Sequence, residues 1–383
     1  MKQKGNVLII GNPDSSLVVE RSKVPILGGY KVYWYSTWKP TTHYFQDADW
    51  LSGLIVPPKL PRGGRPAFWL NYYWTIFHLQ PCIIHVHYAL SSWPYARWIG
   101  SLHPLIVSVM GGDIMPDQGF HGEAVEPTSY LLEHADVITS KSNFLDQRLL
   151  EIGPFQHKLR RVTWGMDIEQ FKPGLDVSEL RQRLNLEADD IVFFCARACE
   201  LRTNKHQVIQ AFSGCLSKIQ RSAKLLVSEY IGVSSEYCAQ LHKLVDDLGI
   251  CEHVRFISEV PYHEMPLYMN LADAVISVPR SDGMPQTLYQ AMSCGTYSII
   301  SDIPQTHELL ELGAELSLTP VNDVDAIACS MEWVVNNHKT ARQIGLRNRD
   351  RVLKIANQAE QTQIMNEIYD ELLPKTWFKR LGF

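Results

Sequence analysis

The 383-residue chain contains no run of about 18 or more uninterrupted apolar residues, so no segment reads as a membrane-spanning helix. Cysteine is present but unpatterned. The eight cysteines, at 82, 195, 199, 215, 238, 251, 294 and 329, form no paired metal-type spacing, and Cys195-x3-Cys199 has no nearby Cys or His pair to complete it. Reduced, mostly buried thiols in a cytoplasmic protein are the expectation. There is no cationic excess either. With 36 Lys and Arg against 41 Asp and Glu, the net charge of −5 gives no reason to expect a nucleic-acid partner. The first apolar run, residues 7–10, leads into GNPDSS and not into Gly-x-Gly-x-x-Gly, which argues against a nicotinamide dehydrogenase. That run is also too brief for a signal-peptide core, and it breaks at Gly11-Asn12-Pro13, so it reads as a buried strand.

The length exceeds one ordinary hydrophobic core, and two domains of about 150–200 residues follow. Apolar residues make up 45% and charged residues 20%, the balance of a soluble globular protein. Short apolar runs alternate with helix-length segments throughout. They fall at residues 7–10, 31–35, 82–86, 105–109, 137–139 and 159–163, then at 191–196, 224–228, 254–257, 274–278, 297–301 and 315–318. Most are β-branched and continuous, the mark of parallel strands covered on both faces. Amphipathic stretches lie between them, as at 207–219, where Val208, Ile209, Phe212 and Leu216 share a face. This alternation, given twice, predicts the α/β class with two Rossmann-like doubly wound domains. The expected boundaries are 1–170 and 171–358, near the break at Pro173-Gly174, with a helix and tail at 359–383 packing back on the first domain. Eight of the ten Trp precede residue 165, and YKVYWYSTW and FWLNYYW fall there too. They form either an aromatic-rich core or a surface on which sugar or lipid stacks.

Three stretches carry chemistry. The first is RSDGMPQTLYQAMSCG, residues 280–295, which follows a predicted strand. Pro285 suits the first turn of a helix, and Gly295 ends it. The amides near Gly283, Met284 and Gln286 then leave the carboxyl end of the strand, where open α/β sheets bind ligands and a helix N-terminus favours an anion. Asp282 either accepts from sugar hydroxyls or caps the helix. The second is FFCARACELRTNK, residues 193–205, where Arg197, Arg202 and Lys205 crowd one strand-end loop and suit a pyrophosphate. The third lies in the first half. Gly111-Gly112 permits close backbone approach, and Asp113 can accept hydroxyl protons. His85 and His87 share a face of one strand. Without a third ligand nearby, a metal is disfavoured. Contact with a sugar hydroxyl or phosphate, or a satisfied core histidine, are the readings left open.

Together these stretches resemble the retaining glycosyltransferases of family 4. SDGMPQTLYQAMSCGTYSIISDIPQTHELL (281–310), HVRFISEVPYHEMPLYMNLADAVISVPRS (253–281) and HKLRRVTWGMDIEQFKP (157–173) are similar to that family's donor segment, the segment before it and its interdomain hinge. The resemblance covers most of the chain. It implies the GT-B fold, with a cleft between two Rossmann-like domains. It assigns Asp282 to hydroxyls of the donor sugar, Gln290 to the ribose, and Gly283, Met284, Pro285 and Gln286 to the turn facing sugar and phosphate. Arg197 and Lys205 hold the diphosphate, with Arg202 competing for the second role, and Ile257 marks where backbone recognises the base. Asn12, Asp14, Ser15, His85, Gly111, Gly112 and Asp113 line the facing wall; Met110 takes the place of the family's histidine near the reacting sugar, which makes His87, counted with the catalytic residues, and His85 the alternatives for that role.

The implied reaction moves a hexose from a nucleoside-diphosphate sugar, a UDP-sugar such as UDP-glucose or UDP-GlcNAc, to a hydroxyl of a sugar or lipid-linked acceptor, with retention. No cofactor or metal is expected, since the cations stabilise the leaving group. Gln290 replaces an acid, which predicts weaker nucleotide binding. Met110 and Gln290 favour a rival reading, a sugar-nucleotide-binding module without turnover, and a sugar-nucleotide 2-epimerase ranks below it. The expected place is the cytoplasm. Peripheral contact with the inner membrane face is possible through LPKTWFKRLGF (373–383), which otherwise docks on the first domain. The expected pathway is polysaccharide or glycolipid assembly.

Overall fold

The computed structural model describes the chain except for residues 1–2, 37, 42–44, 46–47, 58–64, 91–98, 100–103, 117–120, 230–234, 259, 285 and 374–383; for 65–69 it describes the backbone alone. The chain divides into two compact units. One comprises Met1–Trp164 with Ala359–Phe383, and the other Gly165–Gln358.

The first unit holds seven strands: β1 Gly5–Ile10, β2 Tyr30–Tyr35, β3 Gly53–Ile55, β4 Ile83–His87, β5 Leu105–Ser108, β6 Val137–Ser140 and β7 Leu159–Arg161. Their order is β3-β2-β1-β4-β5-β6-β7. The second holds β8 Ile191–Cys195, β9 Ala223–Ser228, β10 Val254–Ile257, β11 Ala274–Ser277, β12 Tyr297–Ser301 and β13 Ser317–Thr319, in the order β10-β9-β8-β11-β12-β13. Every pairing is parallel. All twelve anticipated strands are present. The unanticipated one, β3, is a three-residue edge strand with too few apolar positions to register as a run.

Continuous apolar strands follow from cores on both faces. Ile191, Phe193 and Cys195 of β8 enter one core, and Val192 and Phe194 enter the other. Likewise Val7 and Ile9 of β1 face one side, and Leu8 and Ile10 the opposite. Each sheet reverses its strand order once, between β1 and β4 in the first unit and between β8 and β11 in the second. At such a switch point the flanking loops diverge to opposite faces and leave a crevice outside the carboxyl ends of the strands.

The helix Gln358–Leu372 places Met365, Ile368, Tyr369 and Leu372 in the core of the first unit beside Val7 and Val32. Its Asp370 accepts from Lys4 Nζ at 2.6 Å and from Tyr30 Oη at 2.6 Å. The tail beyond 373 lies outside the described residues. Within the aromatic clusters Trp34, Tyr35 and Tyr72 are buried, and Trp74 is exposed.

The chain passes between the units at Trp164/Gly165 and at Gln358/Ala359, against expected boundaries at 170/171 and 358/359. Trp164 and Gly165 both have positive φ, 66° and 59°. Beside them, Met166 N donates to Ala356 O at 2.6 Å, and Gln358 N donates to Met166 O at 3.0 Å. A Cβ at Gly165 would sit 2.6 Å from Gln358 N and 2.7 Å from Ala356 O, which are backbone atoms that cannot swing aside. Gly165→Ala is therefore expected to cost at least about 2 kcal/mol and to lower the calorimetric unfolding midpoint by several degrees. An unchanged midpoint would remove this turn as a constraint.

Candidate functional site

The strand ends of β8 and β11 bring two charged residues together at the switch point. Beyond β8 the chain runs through Arg197, and beyond β11 through Asp282. Their side chains form an ion pair, Arg197 Nη2 donating to Asp282 Oδ2. It is largely shielded, with side-chain exposures of 14% and 8%. Two loops 85 residues apart in sequence thus meet because their strands are neighbours.

Residues that the sequence reading passed over hold these loops together. Asn204, at φ 55°, donates from Nδ2 to Val278 O at 3.0 Å and accepts from Arg280 Nε at 3.2 Å. Arg280 N donates to Arg202 O at 3.1 Å. Buried Gln305 donates from Nε2 to the Asp282 carbonyl, while its own Oε1 is buried without a hydrogen-bond partner. The available signal was Asn204 itself, since asparagine tolerates the left-handed region far better than most residues. Gln305 lies in the first turn of the helix Pro304–Glu311, and nothing in its local spacing distinguishes it.

The loop cations take different positions from one another. Lys205 is fully buried, not displayed on the loop. Its Nζ donates to the carbonyls of Ser228 and Cys195, the latter at 3.4 Å, and burial lowers its pKa from the ordinary lysine range. Arg202 is half-exposed and donates from Nε to Glu200. In the turn, the left-handed backbone falls on Met284 at φ 93°, and not on Gly283. Met284 is buried in the core, where its side chain offsets the strain of that conformation. Pro285 lies outside the described residues. Gln286 opens the helix Gln286–Ser293, but its amide donates to Gly165 O at 2.7 Å, at the chain crossing. Gln290 is buried on the same helix. Ile257 ends β10 in the core, and its carbonyl accepts from Glu229 N at 2.6 Å.

In the first unit most of the expected cleft-lining polar groups are already engaged. Asn12 Oδ1 accepts from Asp14 N at 2.9 Å. Asp14 accepts from Trp38 Nε1 at 3.0 Å and Thr41 N at 2.7 Å. Ser15 caps the helix Ser16–Arg21. Asp113 is fully buried and accepts from Ala89, Met110 and Gly111 N, each at 2.9 Å. Burial raises its pKa, and these three amides counter the rise. Its role here is to shape the loop, in which Gly111 has φ 123° and Gly112 is half-buried.

The core-histidine alternative describes His85. It is fully buried, with Nδ1 bonded to Tyr369 Oη at 2.6 Å and Nε2 to Ser108 Oγ at 2.7 Å. His87 stacks on it at 4.0 Å, also fully buried, with neither ring nitrogen hydrogen-bonded. It sits at the switch point, where a Cβ on Gly11 would lie 3.4 Å from its own Cβ.

Residues 176–351 match the family described as Glycosyl transferases group 1. The matched segment lies within the carboxyl-terminal unit. Among curated proteins similar to this chain, a D-inositol 3-phosphate glycosyltransferase of Frankia alni is 30% identical over 188 residues, 46% of each chain. A GDP-mannose-dependent alpha-(1-6)-phosphatidylinositol monomannoside mannosyltransferase of Mycolicibacterium smegmatis is 23% identical over 223 residues, 56% of this chain and 57% of the other. The chain thus spans about half the length of the curated relatives it matches. Among solved structures, Anabaena HepE in complex with UDP and glucose superposes with a TM-score of 0.81 at 16% identity, covering 96% of this chain and 100% of that one. Sucrose-phosphate synthase from Thermosynechococcus elongatus gives 0.79 at 17%, covering 98% and 100%. These likenesses show the fold, which is GT-B.

The two stacked histidines make the first unit acid-sensitive. Burial holds His85 down to about 3 and His87 well below its ordinary value, with the Arg21 charge acting in the same direction on both. Both are neutral when folded, whereas in the unfolded chain each takes up a proton below about pH 6.5. Their contribution is complete above that pH and is lost as the pH falls towards the folded values. Lowering the pH from about 6.5 to about 5 should remove about 3 kcal/mol, read from urea-unfolding midpoints. His87→Gln should reduce that slope, and equal slopes in variant and parent would remove His87 from the effect.

Proposed function

We propose that the chain is a retaining glycosyltransferase that moves a hexose from a nucleoside-diphosphate sugar to a hydroxyl of a sugar or lipid-linked acceptor. The observation that carries this reading is the Arg197–Asp282 pair across the switch-point crevice, within the segment that matches the family. In the proposed reaction the bond from the anomeric carbon to the diphosphate breaks, and the acceptor oxygen bonds to that carbon on the same face. The acceptor proton passes to the departing phosphate. Arg197 and Lys205 stabilise the charge that develops there, in place of a metal ion. Asp282 accepts from hydroxyls of the sugar, and Gln290 bridges ribose hydroxyls through an amide that both donates and accepts.

A UDP-sugar is the proposed donor. The printed name of the Mycolicibacterium relative makes GDP-mannose the competing choice. The same relative acts on a phosphatidylinositol monomannoside, and the Frankia one on D-inositol 3-phosphate, which supports an acceptor of polyol or glycolipid chemistry. The proposed setting is polysaccharide or glycolipid assembly.

A thermal-shift panel of UDP-, GDP- and ADP-sugars tests the donor. At about a hundredfold excess over its dissociation constant, the true donor should stabilise by about 2.7 kcal/mol, a shift of a few degrees. A GDP-sugar shift without a UDP-sugar shift would reassign the base. A shift without release or transfer of sugar would leave a binding module. Arg197→Ala should lower turnover by about a hundredfold or more, and near-normal turnover would remove it from the leaving-group role. Gln290→Glu should tighten the donor about fivefold through a charge-assisted bond. Unchanged or weaker calorimetric affinity would take Gln290 away from the ribose.

A further inference from the structure

We propose that Gln305 is a positioning residue of the donor site: it turns the Gly283 N–H toward the crevice between β8 and β11, where that amide donates to the phosphate bonded to the donor sugar. The proposal rests on the glycosyltransferase reading and adds a residue to it. Asp282 is held from two sides. Arg197 reaches its carboxylate from the β8 side, and Gln305 reaches its carbonyl from the β12 side, since β11 lies between those strands. The peptide joining Asp282 to Gly283 is trans, so its C=O and N–H point in opposite directions. With the carbonyl held toward β12, the Gly283 N–H faces β8 and the crevice. Gly283 is buried, and among the described residues its N–H makes no hydrogen bond. Buried amides without a partner are rare, and one directed into a strand-end crevice marks the place of an acceptor. Asp282 is the proposed partner of the sugar hydroxyls, so the acceptor one residue further on is the phosphate that carries that sugar.

Packing alone does not account for a glutamine at 305. Only one end of its amide is used: Nε2 donates to Asp282 O, while among the described residues Oε1 is buried without a hydrogen-bond partner. A leucine would fill similar space and leave no such orphan. The glutamine is itself held firmly. It lies in the first turn of the helix Pro304–Glu311, beside Thr306, whose Oγ1 donates to Ser301 O at 2.9 Å and to Ile303 O at 2.7 Å. Ser301 Oγ donates in turn to Pro279 O at 2.7 Å. The end of β12 thus braces the loop after β11 at two carbonyls, those of Pro279 and Asp282. Glycine at 283 has no Cβ to resist rotation of its peptide, so loss of the Gln305 bond lets the N–H turn away from the crevice.

Calorimetric binding of nucleoside phosphates to the full chain tests this. A nucleoside diphosphate carries the phosphate in question as its terminal group, and the monophosphate of the same base lacks it. The pairs are UDP with UMP and GDP with GMP. Whichever diphosphate the parent binds, Gln305→Leu should weaken it about tenfold, the worth of one hydrogen bond to a charged group, and leave the matching monophosphate within about twofold. Equal weakening of both would make Gln305 a purely structural residue, and an unweakened diphosphate would remove it from the site. Either result overturns the proposal and leaves the glycosyltransferase reading standing, whereas a parent that binds neither diphosphate sinks both. Gln305→Glu is the conservative variant. Burial beside a carbonyl raises the pKa of the new carboxyl, so at pH 5 it is protonated and donates in place of the amide. At that pH it should bind the diphosphate within about twofold of the parent, and a deficit as large as that of Gln305→Leu would overturn the proposal.

Discussion

The carboxyl edge of the second sheet is arranged around one ion pair, Arg197 with Asp282. Two charges this shielded lose most of their hydration, and their attraction compensates only where further hydrogen bonds complete the surroundings. Those bonds are present. Gln305 holds the Asp282 carbonyl, and Asn204 and Arg280 stitch the flanking loops to each other and to the end of β11. The pair exists because β8 and β11 are neighbours at the point where strand order reverses. On the proposed function the two charges also neutralise each other before the donor binds. A diphosphate would draw on Arg197 and sugar hydroxyls on Asp282, so each side chain has a partner whether the donor is bound or absent.

The matching switch point of the first unit is built on the opposite principle. There the polar groups are consumed internally. Asp113 spends its carboxylate on three backbone amides, and His85 links β4, β5 and the C-terminal helix through Tyr369 and Ser108. Such groups fix the shape of a loop and have little capacity left for a ligand. His87 is the exception, with two buried nitrogens unsatisfied, at a cost of about 1–3 kcal/mol for each unmade bond. Burial keeps the histidines neutral, and the charge of Arg21, whose guanidinium lies 5.0 Å from the Trp164 ring, acts in the same direction.

The fold was legible because its signals are local and repeated. Continuous β-branched runs require two covered faces, and the structure places a core on each side of both sheets. The three-residue edge strand was not legible, for the same reason: a short edge has no periodicity to read. Within the site, spacing located the loops but not the direction of their side chains. Arg197 and Asp282 meet as neighbouring strand ends should, yet nothing in FFCARACELRTNK distinguishes buried Lys205 from half-exposed Arg202. That difference arises because the helix Lys205–Leu216 begins beneath the strand ends, where the carbonyls of Cys195 and Ser228 are within reach of Nζ. Gln286 likewise turned on a tertiary partner, Gly165 O, that lies 121 positions away.

Lys205 then has a physical part distinct from that of a surface cation. An ammonium carries three donors, and two are directed at carbonyls. Burial disfavours its charge, so its pKa is lowered. On the proposed function, an approaching diphosphate supplies both the third acceptor and the opposing charge, and the pKa rises again. Donor binding and protonation of Lys205 therefore reinforce each other. A lysine held this way contributes little to long-range attraction, but it costs no reorganisation when charge develops on the leaving group, because its position is already set by the two strand ends.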